Sequence, residues 1–199
     1  MPATASGGTA RGGLRIVGGR HRGRRIEVPP GEGVRPTSDR IREALFNVLM
    51  HQGWGPEGAN PVLAATVLDV FAGSGALALE ALSRGAARAF AFEQDRIAAR
   101  QVQANARGLG EAGRLTLIEA DALDPPPARA PANLIFLDPP YGRDLVAPAL
   151  AALRRRGWIA PGAVLVVETD KAERLPPLAG AERLAEKTYG KTRLVFLRG

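Results

Sequence analysis

The stretch Thr66-Val67-Leu68-Asp69-Val70-Phe71-Ala72-Gly73-Ser74-Gly75 decides the fold: a short apolar run ends in an acid and a glycine turn, and Ala76 to Arg84 then reads as a helix. Strand, glycine turn and helix in that order open a βαβ unit. Working outward, RAFAFE (88–93), RLTLIE (114–119), ANLIFLD (132–138) and AVLVVE (163–168) repeat the apolar strand signature. Helical stretches fall at Asp95 to Arg107 and Asp144 to Arg156, and Gly85, Gly108 and Gly157 stand where the three helices should stop. The alternation predicts an α/β fold, a mostly parallel sheet with helices on both faces. Glu182 to Thr188 and Thr192 to Arg198, around Tyr189-Gly190, predict an antiparallel pair that closes the sheet. DPPPARAP (124–131) reads as a stiff loop.

Upstream, residues 1–13 are small, polar and Gly-rich, which predicts a disordered tail and no secretory leader. LRIV (14–17) and RRIEV (24–28) flank GGRHRG (18–23), the signature of a short hairpin with a cationic tip. In RPTSDRIREALFNVLM (35–50), Thr37 or Ser38 can cap a helix whose Ile41, Leu45, Val48 and Leu49 share one face. The expected organisation is a tail over 1–13, a basic hairpin-and-helix extension over 14–60 and a core domain over 61–199.

Composition excludes several chemistries. The 199 residues hold no Cys, which rules out thiolate sites and cysteine nucleophiles, and only two His, His21 and His51, far apart in sequence, so no histidine-rich metal centre and no metal are expected. No apolar run reaches the roughly 20 residues of a membrane span, and a cytoplasmic location is expected. Of the formal net charge of +7, residues 1–42 carry +6, from nine Arg against three acids. A local cationic excess on a near-neutral body points to a polyanionic partner, with Arg20, Arg22, Arg24, Arg25 and Arg35 the candidates for nucleic-acid phosphate contacts. Arg154 to Arg156 read as a solvated helix end, where cations favour the dipole.

In open parallel sheets ligands bind beyond the carboxyl ends of the strands. Here those ends carry acids: Asp69, Glu93, Asp121 and Asp138. The turn Gly73-Ser74-Gly75 lets a ligand approach backbone and helix amino end, and Glu93, 18 residues beyond Gly75, is where an acid would bind ribose hydroxyls. The turn alone fits a dinucleotide or S-adenosylmethionine equally. The acidic rim separates them, because Asp69 and Asp121 would repel a pyrophosphate but complement a sulfonium and an ammonium.

The order Asp69-x-Phe71-Ala72-Gly73-x-Gly75, then Glu93, then Asp121-Ala122 resembles the cofactor motifs of class I methyltransferases, which have a Rossmann-like fold. The resemblance implies that Asp69 and the glycine turn serve the methionine portion of S-adenosylmethionine, Glu93 its ribose, and Asp121 with Ala122 its adenine.

Asp138-Pro139-Pro140-Tyr141 addresses the methyl acceptor. A base amine is a poor nucleophile because its lone pair is delocalised into the ring; the Asp138 carboxylate and the Pro139 carbonyl can accept its two hydrogens. Pro139 and Pro140 have no N–H to compete and a fixed φ, and Tyr141 offers a face for stacking. Without a thiolate, pyrimidine C5 is excluded, and nitrogen is the expected acceptor.

Arg35-Pro36-Thr37-Ser38-Asp39-Arg40-Ile41-Arg42-Glu43-Ala44-Leu45-Phe46-Asn47, with Gly18-Gly19-x-x-Arg22-Gly23 ahead and Tyr189-Gly190-Lys191-Thr192 behind, resembles the bacterial RsmD-type 16S ribosomal RNA guanine N2 methyltransferases. The similarity runs from about Leu14 to Arg198. It implies a monomer that methylates a guanine exocyclic amine in 16S rRNA, within an assembling 30S particle, and a Thr37 that reaches the cofactor. Adenine N6 methylation of DNA or RNA uses the same Asp138 to Tyr141 chemistry and stays open on the residues alone. A non-catalytic RNA-binding assembly factor is the alternative from another class.

Overall fold

The computed structural model describes residues 13–29 and 38–199. Thr37 and Arg35, named above for the cofactor and for RNA, lie outside the described residues.

Each strand alternates large apolar side chains between two faces, and that period builds a three-layer sandwich. The strands β3 (Thr66–Asp69), β4 (Arg88–Phe92), β5 (Leu115–Ile118), β6 (Ala132–Leu137), β7 (Ile159–Asp170), β8 (Glu182–Tyr189) and β9 (Thr192–Arg198) form one sheet. Its order is β5-β4-β3-β6-β7-β9-β8. Neighbours from β5 through β7 pair parallel, and β9 pairs antiparallel with both β7 and β8. Val67, Ala91, Phe136, Val166 and Phe196 point to one core. Leu68, Phe92, Leu137, Val167 and Leu197 point to the other.

The first core is covered by α1 (Asp39–His51), α2 (Ala76–Ser83) and α3 (Arg96–Leu109). The second is covered by α4 (Val146–Arg155) and by irregular chain. The stiff loop expected over 124–131 does a helix's work there. Trp158 packs edge-on against Phe90 and Phe92 at 5.3 and 5.0 Å and donates its indole N–H to the Pro126 carbonyl at 2.7 Å. Ala128 N–H donates to Arg156 O at 2.8 Å, and Arg156 pairs with Asp124.

The hairpin is shorter than its sequence signature: β1 (Leu14–Arg15) and β2 (Arg25–Ile26) pair antiparallel, two residues each. Ser38 caps α1, accepting from Ile41 N–H at 3.3 Å. On α1 the apolar stripe packs inward as expected, and Arg42 is also fully buried. Helix ends differ from expectation at two places: α4 starts at Val146 and not at Asp144, whose φ is +50°, and α3 runs past its expected stop. Gly108 lies inside α3, which continues through the buried Leu109 and stops at Gly110, whose φ of +75° supplies the left-handed cap.

Candidate functional site

The order of the strands fixes where a ligand can sit. β3 and β6 are neighbours, but the chain leaves β3 toward β4 and leaves β6 toward β7, in opposite directions across the sheet. The crevice opens at that switch point, outside the carboxyl ends. A cavity of about 580 Å³ lies there, within the range of small-molecule sites. The structure brings all four acids of the rim, Asp69, Glu93, Asp121 and Asp138, to its wall, with Phe71, Ala72, Gly73, Ala122, Pro139, Pro140 and Tyr141.

Gly75 is not part of that wall. It starts α2 with φ +78°, and a Cβ there would meet Val102 Cγ1 at 3.1 Å, so this glycine serves the turn and the close approach of α3. Gly73, with φ +55°, has open space where a Cβ would project. A side chain there would enter the cavity.

Asp69 is 1% exposed at the end of β3. Its Oδ2 accepts from Ala78 N–H at 3.2 Å, satisfying one of the orphan donors at the start of α2. Its Oδ1 has no hydrogen-bond partner among the described residues. Burial pushes the carboxyl up to about 7; the Ala78 N–H opposes this, and the nearby Glu93 carboxylate adds to it. A buried acceptor without a donor, facing a cavity, is a site prepared for a cationic or N–H-bearing ligand.

Glu93 is engaged more than its sequence suggested. Its Oε2 accepts from Gly73 N–H and its Oε1 from Asp95 N–H, both at 2.8 Å. The carboxylate therefore clamps the glycine turn to the start of α3, and each oxygen keeps a lone pair for a ligand hydroxyl. Asp121 is exposed and accepts from Leu123 N–H at 2.9 Å, an Asx turn that sets the loop after β5.

Pro139 is buried and Pro140 exposed, which turns the chain outward after Asp138. Tyr141 donates its hydroxyl to Glu168 Oε1 at 3.1 Å while the residue as a whole stays 37% exposed. Burial, and next the Glu168 carboxylate, hold the phenol far above its ordinary range. Tyr141 therefore keeps its proton and offers a flat ring, not a base.

Sequence reasoning missed Asn105 and Pro29. Asn105, 7% exposed on α3, donates to Ser74 O at 2.9 Å and Glu27 O at 2.8 Å, and accepts from Glu27 N–H at 3.0 Å. It ties the exit of the hairpin to the glycine turn, so that Pro29 reaches the cavity wall. A lone Asn in the middle of an amphipathic helix carries no signal for this.

The hairpin arginines lie elsewhere. α2 begins at the site and ends at Ser83, whose hydroxyl donates to Gly18 O at 2.6 Å and accepts from His21 N–H at 2.9 Å. Arg20 and His21 both bind the fully buried Glu111, which follows α3, and Arg24 donates to Gly108 O at 2.6 Å. The tip thus sits at the end of α2 and α3 remote from the acidic rim. Arg22, Arg24 and Arg25 are exposed there.

Comparison with known proteins agrees with this architecture. The family model described as Conserved hypothetical protein 95 matches residues 14–198. The Ribosomal RNA small subunit methyltransferase D of Escherichia coli K12 is 41% identical over 166 residues, covering 83% of this chain and 79% of that one. The protein of the same name from Haemophilus influenzae is 37% identical over 188 residues, 91% of each chain. The solved Escherichia coli structure named yhhF superposes with a TM-score of 0.75 at 37% identity, over 94% of this chain and 98% of that one. At 13% identity, an RNA methyltransferase from Salinibacter ruber in complex with S-adenosyl-L-homocysteine shares the fold, with a TM-score of 0.61 over 82% of this chain and 92% of that one. With matched residues spanning nearly all of the described chain and a Rossmann-like sheet ending in the acidic rim, the protein belongs to the RsmD-type methyltransferase family.

Proposed function

We propose that the protein transfers a methyl group from S-adenosylmethionine to the exocyclic N2 amine of a guanine in small-subunit ribosomal RNA. The observation that carries the reading is the single cavity wall on which Asp69, with its buried and undonated oxygen, and the Asp138-Pro139-Pro140-Tyr141 turn meet. The names of the relatives supply the substrate class, and the turn supplies the chemistry.

The residues present fit the cofactor. Asp69 Oδ1 would accept from its ammonium, the space at Gly73 would admit its methionine portion, Glu93 would bind ribose hydroxyls, and Asp121 with Ala122 would flank adenine. When bound, S-adenosylmethionine supplies an electrophilic methyl group on a sulfonium.

The chain's own residues prepare the acceptor. Asp138 and the Pro139 carbonyl would hold the two amine hydrogens, turning the nitrogen lone pair toward the cofactor side. Asp138 would then take the proton released as nitrogen gains its new bond. The ring of Tyr141 would stack on the base, worth about 1 to 3 kcal/mol. A paired target would have to be flipped out of its stack. Catalysis on this account is positioning and desolvation.

The test is incubation of small-subunit RNA, free and within particles, with methyl-labelled S-adenosylmethionine, followed by digestion to nucleosides. Label should appear in N2-methylguanosine. Label in N6-methyladenosine would replace the guanine reading with the adenine one, and no label in either substrate would favour a non-catalytic RNA-binding role.

A further inference from the structure

A second cavity, of about 310 Å³, opens on the other side of the proline turn. Pro139 and Pro140 line both cavities, so the pair forms a rigid partition between them. The far walls of the second cavity include Ala147 on α4, Thr169 near the end of β7, and Arg174, Leu175 and Pro176 after it. Neither Asp138 nor Tyr141 lines it, so it is not the place where the acceptor amine meets the methyl donor.

Arg174 lines it together with the acids Asp144 and Glu173, and further cations lie on the adjoining loops. All three lysines of the chain, Lys171, Lys187 and Lys191, fall within residues 171–191. Lys171 N–H donates to Lys191 O at 2.7 Å, which places the loop after β7 beside the β8–β9 turn. The same turn brings Thr192 to the Tyr141 hydroxyl. Glu173, between Lys171 and Arg174, accepts from Gly142 N–H and so joins this loop to the one that carries Tyr141. Lys171, Arg174 and Lys191 are exposed, as is Arg143 on the wall of the first cavity. Among the described residues none of the four forms an ion pair. The neighbouring acids Asp170 and Glu173 are instead occupied by backbone N–H donors. The ridge therefore presents Lys171, Arg174 and Lys191 without ion pairs among the described residues, interspersed with the carboxylates of Asp144, Asp170 and Glu173, beside the proposed acceptor site.

Resting on the guanine reading above, we infer that the nucleotide next to the target enters the second cavity, and that the RNA phosphates on that side cross the Lys171–Arg174–Lys191 ridge. A base turned out of its stack must be separated from its neighbour, and a rigid partition with a pocket on each side does this. Apolar faces at Pro139, Pro140, Leu175 and Pro176 suit the flat face of a base, and Lys ammonium groups suit phosphate as point charges. The hairpin tip also exposes Arg22, Arg24 and Arg25, but it lies at the remote end of α2 and is for that reason the less apt place for the backbone flanking the target.

The experiment is a salt series of filter binding to protein-free 16S rRNA, with S-adenosylmethionine affinity measured on the same preparations. The triple variant Lys171→Gln, Arg174→Gln, Lys191→Gln should lower the slope of log affinity against log salt by about 2, at ~0.7 for each phosphate no longer neutralised. Its cofactor affinity should stay within about twofold, far less than the tenfold that 1.4 kcal/mol would produce. Ala147→Phe, which adds a ring at the exposed wall of the second cavity, should raise the KM for RNA at least about tenfold, the equivalent of 1.4 kcal/mol, without changing that slope.

An unchanged slope in the triple variant, with the loss falling instead on Arg20→Gln, Arg22→Gln, Arg24→Gln, would overturn the ridge and assign the RNA to the hairpin. Wild-type KM in Ala147→Phe would overturn the cavity. Losses seen only on assembled particles would assign the ridge to a ribosomal protein and overturn the RNA contact. Failure of the guanine reading is read separately, from the identity of the labelled nucleoside.

Discussion

The hairpin side and the acidic rim treat their buried carboxylates in opposite ways. On the hairpin side Glu80 and Glu111, both fully buried, are saturated: Glu80 meets Arg42, Arg84 and the Val17 N–H, and Glu111 meets Arg20, His21 and Arg114. At the rim, Asp69 keeps an oxygen without a donor, and Arg143, Lys171, Arg174 and Lys191 have no ion pairs among the described residues. Charges satisfied within the chain hold the fold together. Asp69 Oδ1 and the cations beside the cavity are left available to a ligand, as are the exposed Arg22 and Arg25 at the hairpin, which form no ion pair among the described residues. Breaking the first kind should cost stability and spare binding, and breaking the second should do the reverse.

The largest expected effect tests the first half of that contrast. Glu80→Ala takes from Arg84 its buried 2.6 Å partner and from Arg42, whose side chain has no solvent exposure, a carboxylate at 3.6 Å, while Arg42 keeps Asp39 at 2.8 Å. Removing one member of a buried ion pair costs about 3 to 5 kcal/mol. Chemical denaturation should show a loss of that order, with cofactor affinity of the folded protein held. An unmoved midpoint would mean that the buried cluster contributes nothing to holding the hairpin and α1 on the core.

Asp69→Asn tests the second half and should be smaller. The folded carboxyl titrates at about 7, against an ordinary value of 3.8. The folded state therefore retains a proton that the unfolded chain has released. The stability from this group is full below pH 3.8 and is lost as pH rises through about 7. Without cofactor the variant should be less sensitive to pH between 5 and 8, and more stable than the parent at pH 8. Its S-adenosylmethionine affinity should fall tenfold or more, the order of a lost charge-assisted hydrogen bond. In the parent, affinity should rise from pH 6 to 8 as Asp69 ionises. Parallel stability profiles for parent and variant would mean that Asp69 does not carry the pH dependence.

The same contrast explains what the sequence made legible. Period-2 apolar runs and the Gly73-Ser74-Gly75 turn disclosed the parallel sheet, and the position of each acid at a strand end disclosed the rim, because both are local patterns. The saturated cluster was not legible. Glu111 and Arg20 are 91 residues apart, and Arg42 sits in a helix where charge reads as solvent-facing. The +6 excess in residues 1–42 drew attention to the hairpin, but net charge along the chain does not say which cations are already paired. The three lysines within 171–191 were visible as letters; only the pairing of the Lys171 and Lys191 backbones places two of them at one edge of the site. Gly108 is the expected end of α3, and the burial of Leu109 after it carries the helix on to Gly110.

Labour along the rim is divided on this reading, with Asp69, Glu93 and Asp121 toward the cofactor and Asp138 toward the acceptor. Single-turnover methyl transfer by Asp138→Ala, with cofactor affinity measured on the same preparation, tests that division most directly. Transfer should fall about 10²- to 10³-fold, the order lost when one group that stabilises a reacting centre is removed, while S-adenosylmethionine still binds. Transfer at the parent rate, or a loss of cofactor affinity as large as the loss of transfer, would contradict it.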